Sequence, residues 1–169
     1  MKVMDAIKTR RSVREYTDRP VEEEKLEQIL DAARLAPSAR NEQKWKIIAV
    51  TDPELRKQMV NACNNQRFIG EAPVNLVICA HGDRMMSCGQ SARTVDCSIC
   101  MAYMILEAVE QGLQSCWIGS FDPDKVREVL NIPDDYIVVA VAPLGYPTKD
   151  GKPAPKKSRD EVVVYNKMK

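Results

Sequence analysis

The chain has 169 residues, 44% of them hydrophobic and 29% charged, which suits one domain with a substantial core. A formal net charge of +1 excludes recognition of nucleic acid or an anionic membrane by bulk electrostatics, so any basic site has to be local. Apolar runs such as 137–144 are too short to span a bilayer, and the charged start from Lys2 lacks an apolar leader, so a cytoplasmic protein is expected.

The chain opens on Val3, Met4 and Ile7, the spacing of one or two helical turns. Lys8-Thr9-Arg10-Arg11-Ser12-Val13-Arg14-Glu15-Tyr16 follows, with three arginines and a serine inside five residues. Guanidinium forks match phosphate geometry and a serine hydroxyl adds a short hydrogen bond, although a solvated basic turn has the same composition. After the turn Asp18-Arg19-Pro20, residues Val21 to Ala36 read as a helix with Leu26, Ile29, Leu30 and Ala33 as its apolar stripe. Glu22, Glu23 and Glu24 suit the positive N-terminal end, and Pro37 stops it.

The next loop, Ala36-Pro37-Ser38-Ala39-Arg40-Asn41-Glu42-Gln43-Lys44-Trp45, is dense in side chains that both donate and accept, the groups that read the edge of a heteroaromatic ring. Lys46 to Val50 reads as a strand, and Asp52 caps a helix from Pro53 to about Ala62. Asn64-Asn65-Gln66-Arg67-Phe68 makes a second amide-rich patch. Val74 to Ala80, after Pro73, is an unbroken apolar strand of the kind buried on both faces. His81, the only histidine, is read as a strand-end residue.

Gly82 to Gly89 is a flexible segment, and a long helix follows from about Ser91 to Gln111. It has almost no polar face from Cys97 to Val109, which makes it central to a core or to a subunit interface. Leu113 to Ile118 reads as a strand leading into Gly119-Ser120-Phe121-Asp122-Pro123, and Asp122 caps a helix from Asp124 to Leu130. A fourth strand spans Ile137 to Leu144. Thr148 to Lys156 is a Lys-, Pro- and Gly-rich linker, and Glu161 to Tyr165 has the alternation of an edge strand.

Six cysteines give only one close pair, Cys97 and Cys100, with no second CxxC or CxxH to complete a zinc site. The pair reads as small packing residues, and no metal is expected. Helices interleaved with four or five short strands indicate an α+β or α/β layered fold with one mixed sheet and a long core helix. There is no GxGxxG after a strand and no Walker-type loop.

Six motifs in this order resemble the nitroreductase family of flavin enzymes: Arg10 to Tyr16, Ala36 to Trp45, Ala72-Pro73-Val74, Asp96 in the opening of the core helix, Gly112-Leu113 into Cys116-Trp117-Ile118-Gly119, and Leu144-Gly145-Tyr146-Pro147. The resemblance implies an α+β fold, a single FMN-binding domain over 1–169, and a homodimer with its flavins in the interface between long central helices. It also implies that the C-terminal arm, about 157–169, is exchanged with the partner subunit. By position, Arg10, Ser12 and Arg159, with Lys157 nearby, would hold the FMN phosphate, and Arg11 is a further cofactor-binding position. Arg14 would stand by the flavin N1–O2 edge, where reduction places negative charge. Pro37, Ser38, Ala39, Asn41 and Gln43 would lie against the ring from the other subunit, Asn65 on the pyrimidine side, and Ile118, Gly119 and Ser120 beside N5.

Two positions depart from the family pattern. Gly119 stands where some members carry an acid, and Lys44 where a proline usually precedes the tryptophan. The expected activity is two-electron, ping-pong transfer from NADH or NADPH to nitroaromatics, quinones or related acceptors, with the chemistry on flavin N5 and no essential protein acid or base. Another flavin reaction on the same scaffold (dehalogenation, oxidase or desaturase activity, flavin breakdown), a non-catalytic FMN-binding protein, and a thiol or metal module on Cys88, Cys97 and Cys100 are the alternatives.

Overall fold

A computed structural model describes residues 2–149 and 151–168, so position 150 of the linker and position 169 of the arm, like residue 1, lie outside the described residues. The centre is β2 (Val74–His81), buried from Val74 to Ala80. It pairs antiparallel with β1 (Trp45–Val50) on one side and β4 (Tyr136–Gly145) on the other, and short β3 (Gln114–Ser115) lies beyond β4, giving the order β1-β2-β4-β3.

Alternation on β2 builds two cores. Val74, Leu76, Ile78 and Ala80 face one way, with Ala140, Ala142 and Leu144 of β4. Helices α2 (Glu23–Arg34) and α5 (Ala92–Glu110) cover this face with Ile29, Ala33, Cys97, Cys100, Met101, Met104 and Ala108. Val77 and Cys79 face the other way, onto Met59 of α3 (Pro53–Ala62), Ile69 of α4 (Phe68–Glu71) and Val126 of α6 (Pro123–Leu130). Buried Asn75 shares that face and donates its side-chain N–H to Ile69 O at 2.9 Å.

Local signals set the helix starts. Asp52 accepts from the N–H of Glu54 and Leu55, and Asp122 from those of Asp124 and Lys125, with proline in the first turn each time. Ser91 caps α5 by accepting from Thr94 N–H. Helix α1 (Val3–Thr9) makes two turns and leaves Val3, Met4 and Ile7 exposed. α5 carries a second apolar stripe beyond its core face: Val95, Ala102 and Tyr103 are exposed, and Ile99 and Leu106 half-buried.

Three expectations are corrected. The α+β class stands, but every named strand pair is antiparallel, and among the described residues parallel pairing enters only as the single bridge Ser12–Ser115. The strand expected over 113–118 is two residues long, with a separate bridge from Ile118 to Val141. Cys116 N–H does reach Pro143 O at 3.3 Å, but proline has no N–H to return the bond, so the ladder breaks there. The edge strand expected over 161–165 begins instead inside a helical turn, α7 (Arg159–Val162), nucleated by a capping box between Ser158 and Glu161.

Gly145 is needed for space. A Cβ there would lie 2.6 Å from Pro73 Cδ and 3.1 Å from Tyr16 Cδ1, and the proline ring has little freedom to move. Gly145→Ala is expected to lower stability by about 1–3 kcal/mol in urea unfolding, and an unchanged midpoint would show that the strand end is free to shift.

Candidate active site

The arginine turn is laid along the edge of β3 and β4. Val13 N–H donates to Ser115 O at 3.0 Å and Thr17 N–H to Tyr146 O at 2.9 Å. The buried Tyr16 hydroxyl donates to Val13 O at 2.7 Å, with Pro143 O as a further acceptor at 3.2 Å, and burial drives its phenol well above the usual range. Val13 and Tyr16 thus hold the segment from inside, leaving Arg10 half-buried and Ser12 and Arg14 exposed.

Arg10 and Ser12 line a groove of about 420 Å³ together with Ser115, Trp117 and the α5 residues Ala102, Ile105 and Leu106. Arg10 Nη1 lies 3.4 Å from Ser12 Oγ. A guanidinium and a hydroxyl beside an apolar helix face have the chemistry to take a flat aromatic group that carries a phosphate. Below them lies Cys116: burial pushes its thiol up, while Arg14, a hydrogen bond with Ser12 and Arg10 pull the other way.

Arg11 is employed elsewhere. Its guanidinium donates to Gly151 O at 3.2 Å, Lys8 O at 2.6 Å and Arg10 O at 2.9 Å, and its backbone N–H donates to Gln114 Oε1 at 2.9 Å. It closes the end of α1 and ties down the start of the linker.

The second amide patch meets the turn after β3. Asn64 Nδ2 donates to Ser120 Oγ at 3.0 Å, Gln66 Nε2 to Ser120 O at 2.8 Å, and Asp122 N–H to Ala62 O at 2.8 Å. Asn64 and Asn65 hold φ of +54° and +60°, a region that asparagine tolerates better than most residues. Asn65, Gly119 and Ser120 are exposed and Ile118 is buried.

The loop from Pro37 to Gln43 sits apart from both patches, on the first turns of α5. Ala39 N–H donates to Asp96 Oδ1 at 2.9 Å, Gln43 N–H to Ser38 Oγ at 3.1 Å, and Arg93 Nη2 to Glu42 Oε2 at 2.7 Å. That bond from Arg93, ahead of the nearby Arg84 charge, holds the Glu42 carboxyl below its usual range. Asp96 and Ala102, the groove residue nearest to it along α5, are about 9 Å apart at the helical rise. Neither Pro37, Ser38, Ala39, Asn41 and Gln43 nor Lys157 and Arg159 line the groove of Arg10 and Ser12 within one chain. Arg159 is engaged within the exposed arm, donating to Tyr165 OH at 2.7 Å. Asp96, Arg93, Glu42, Ser115 and Trp117 were not among the site residues expected from sequence. The available signal was the i, i+3 pairing of Arg93 with Asp96 and of Ala102 with Ile105.

Cys63, Cys97 and Cys100 are buried, and burial pushes each thiol up to about 12. The thiolate is the reactive form. Iodoacetamide at neutral pH is therefore expected to modify only Cys88, the exposed cysteine, in the native protein and all six in denaturant. Rapid native modification of Cys97 or Cys100 would revive a thiol-based reading.

A layered α+β unit with a cationic turn beside an apolar helix groove has the chemistry to receive a flat, phosphate-bearing group. The nitroreductase family profile matches residues 7–66 and 61–146, and the chain belongs to that family. An Archaeoglobus fulgidus protein named as an NADH dehydrogenase/NAD(P)H nitroreductase is 39% identical over 150 residues, 86% of this chain and 85% of that protein. The solved structure of an FMN-dependent nitroreductase from Clostridium difficile is 31% identical with a TM-score of 0.85, covering 98% of this chain and 99% of that one. An iodotyrosine deiodinase from Thermotoga neapolitana is 28% identical over 96% of each chain.

Proposed function

We propose that this chain is an FMN-dependent oxidoreductase that takes electrons from NADH or NADPH and reduces nitroaromatics, quinones or related conjugated acceptors. The observation that carries the reading is the groove that joins Arg10 and Ser12 to the apolar face of α5, in a chain of this family. The residues present fit FMN: a half-buried guanidinium and a hydroxyl for its phosphate, and Ala102, Ile105 and Trp117 for apolar contact. When bound, FMN would supply two-electron chemistry, taking hydride from the nicotinamide and passing it to the acceptor in ping-pong order.

Arg10 and Ser12 hold the phosphate from one subunit. Arg14, exposed on the same turn, supplies positive charge toward the N1–O2 edge and favours the reduced cofactor. Asn65 donates from its left-handed turn to the pyrimidine side, Gly119 and Ser120 offer backbone N–H toward N5, and Ile118, whose own N–H is taken by Val141 O at 2.8 Å, passes beside it. The partner subunit brings the loop Pro37, Ser38, Ala39, Asn41 and Gln43, and the arm with Lys157 and Arg159. This arrangement requires a homodimer of single-domain subunits, which is supported by the exposed apolar residues of α1, by the second apolar stripe of α5, and by Val162, Val164, Tyr165 and Met168 on the arm.

The test is the visible spectrum of the full-length protein, saturated with FMN, desalted, and then given NADH or NADPH without oxygen. A retained flavin band that bleaches completely is the expected result. Flavin that stays oxidised with both nicotinamides would favour a non-catalytic or differently reduced protein, and absence of retained flavin would overturn the reading. The likeness to the deiodinase favours one second reading, reductive dehalogenation. Release of iodide from an iodophenol by the reduced protein would establish it.

A further inference from the structure

Asp96 is a buried acid that neither the core nor its own helix requires. It is 3% exposed and lies in the second turn of α5, past the free N–H groups of the first turn, which Ser91 already caps. Its Oδ1 accepts from Ala39 N–H at 2.9 Å, while Oδ2 has no hydrogen-bond partner among the described residues and is 3.8 Å from Arg93 Nη1. Burying a carboxylate so sparsely paired is unfavourable. Such a placement is retained where the bond it does make is needed.

The loop supplies the need. Arg40, Asn41 and Gln43 hold φ of +56°, +55° and +49°, so three non-glycine residues in four positions occupy the left-handed region. Each costs about 1 kcal/mol or more and persists only if the surroundings enforce it. Two fastenings from neighbouring turns of α5 do so: Asp96 to the backbone of Ala39, and Arg93 to the Glu42 side chain at 2.7 Å. A third tie, from Gln43 N–H to Ser38 Oγ, closes the loop on itself.

We propose that Asp96 is a positioning residue: by accepting from Ala39 N–H, it fixes the backbone of Pro37-Ser38-Ala39 in the single conformation in which it meets the flavin of the partner subunit. The proposal rests on the flavin reading above. It assigns the role to the acceptor oxygen of Asp96, not to its charge. Asp96→Asn keeps that oxygen, whereas Asp96→Leu removes it at similar volume.

The experiment is hydrogen–deuterium exchange over 37–43 in the full-length protein, together with FMN affinity by flavin fluorescence titration. In Asp96→Leu, exchange of that segment is expected to rise about tenfold or more and FMN affinity to fall about tenfold, the scale of one lost hydrogen bond. Asp96→Asn is expected to stay within about threefold of the wild type in both. Wild-type exchange in Asp96→Leu, faster exchange with unchanged FMN affinity, or an Asn variant that behaves like Leu each overturn the proposal. Should Asp96→Leu not fold, Glu42→Ala on the loop side of the second fastening is expected to speed exchange of the same segment, and no change would overturn the fastening. A wild-type chain that binds no FMN overturns the flavin reading and with it the role toward flavin, while the exchange result still decides the fastening itself.

Discussion

Arg10→Ala is expected to weaken FMN binding by about 1.5–3 kcal/mol, ten- to a hundredfold in Kd, with the melting temperature of the flavin-free protein little changed. Arg10 is half-buried and lines the groove, and its contact within the chain is a 3.4 Å approach to Ser12 Oγ, so the guanidinium is available to an anionic ligand. Arg11 makes the informative comparison. It is adjacent in sequence but donates to three carbonyls, of Gly151, Lys8 and Arg10. Arg11→Ala is therefore expected to lower stability by about 1 kcal/mol and to affect FMN only indirectly. Arg159→Ala in the same titration tests the arm: a loss like that of Arg10→Ala places Arg159 at the phosphate of the partner's flavin, and no loss removes the arm from the site. Unchanged affinity in Arg10→Ala would remove the phosphate assignment altogether. Raising the salt concentration should narrow the gap between wild type and Arg10→Ala, because the lost interaction is between charges.

The contrast between Arg10 and Arg11 also shows how far the sequence could be read. Elements with local causes were legible: Asp52 and Asp122 cap the helices that follow them, and the unbroken run from Val74 to Ala80 is the buried central strand. Motif order carried the family and, with it, the α+β class. Features set by a distant partner were not legible. The missing N–H of Pro143 shortens a strand that is 28 residues earlier at Ser115, and only the register of β3 against β4 reveals it. Whether a guanidinium in Arg10-Arg11-Ser12-Val13-Arg14 faces a groove or a backbone carbonyl depends on where Ser115 and Gly151 lie. The fastening of the second loop was hidden for the same reason, since Ala39 and Asp96 are 57 positions apart. Asp96 was visible as part of a motif, but its purpose appears only when its buried oxygen is found on Ala39 N–H.

Two substitutions on α5, two positions apart in sequence, are expected to fail in different ways. Met101 is fully buried between α2 and the sheet, in the cluster with Ile29, Ala33, Leu76 and Ala142. Met101→Ala is expected to lower stability by about 2–5 kcal/mol, because the neighbours on three elements close only partly around the lost volume. The subunits should remain paired and FMN-competent at temperatures where they are folded. Tyr103 faces the other way, 42% exposed, and with Leu106 lines a groove of about 450 Å³ against Val3 and Ala6 of α1. Further apolar side chains are exposed on the two helices, Met4 and Ile7 on α1 and Val95 on α5. Tyr103→Glu places a charge in the middle of the face proposed to pair with a second copy. It is expected to give a monomer in light scattering and to lose retained flavin with the dimer, because the loop at Pro37 and the arm at Arg159 would no longer reach the groove of Arg10. A dimeric Tyr103→Glu protein with full flavin would show that the α1–α5 face is not the interface. A monomer that still retains flavin would mean that one chain completes the site alone, although neither the loop at Pro37 nor the arm at Arg159 lines the groove within one chain.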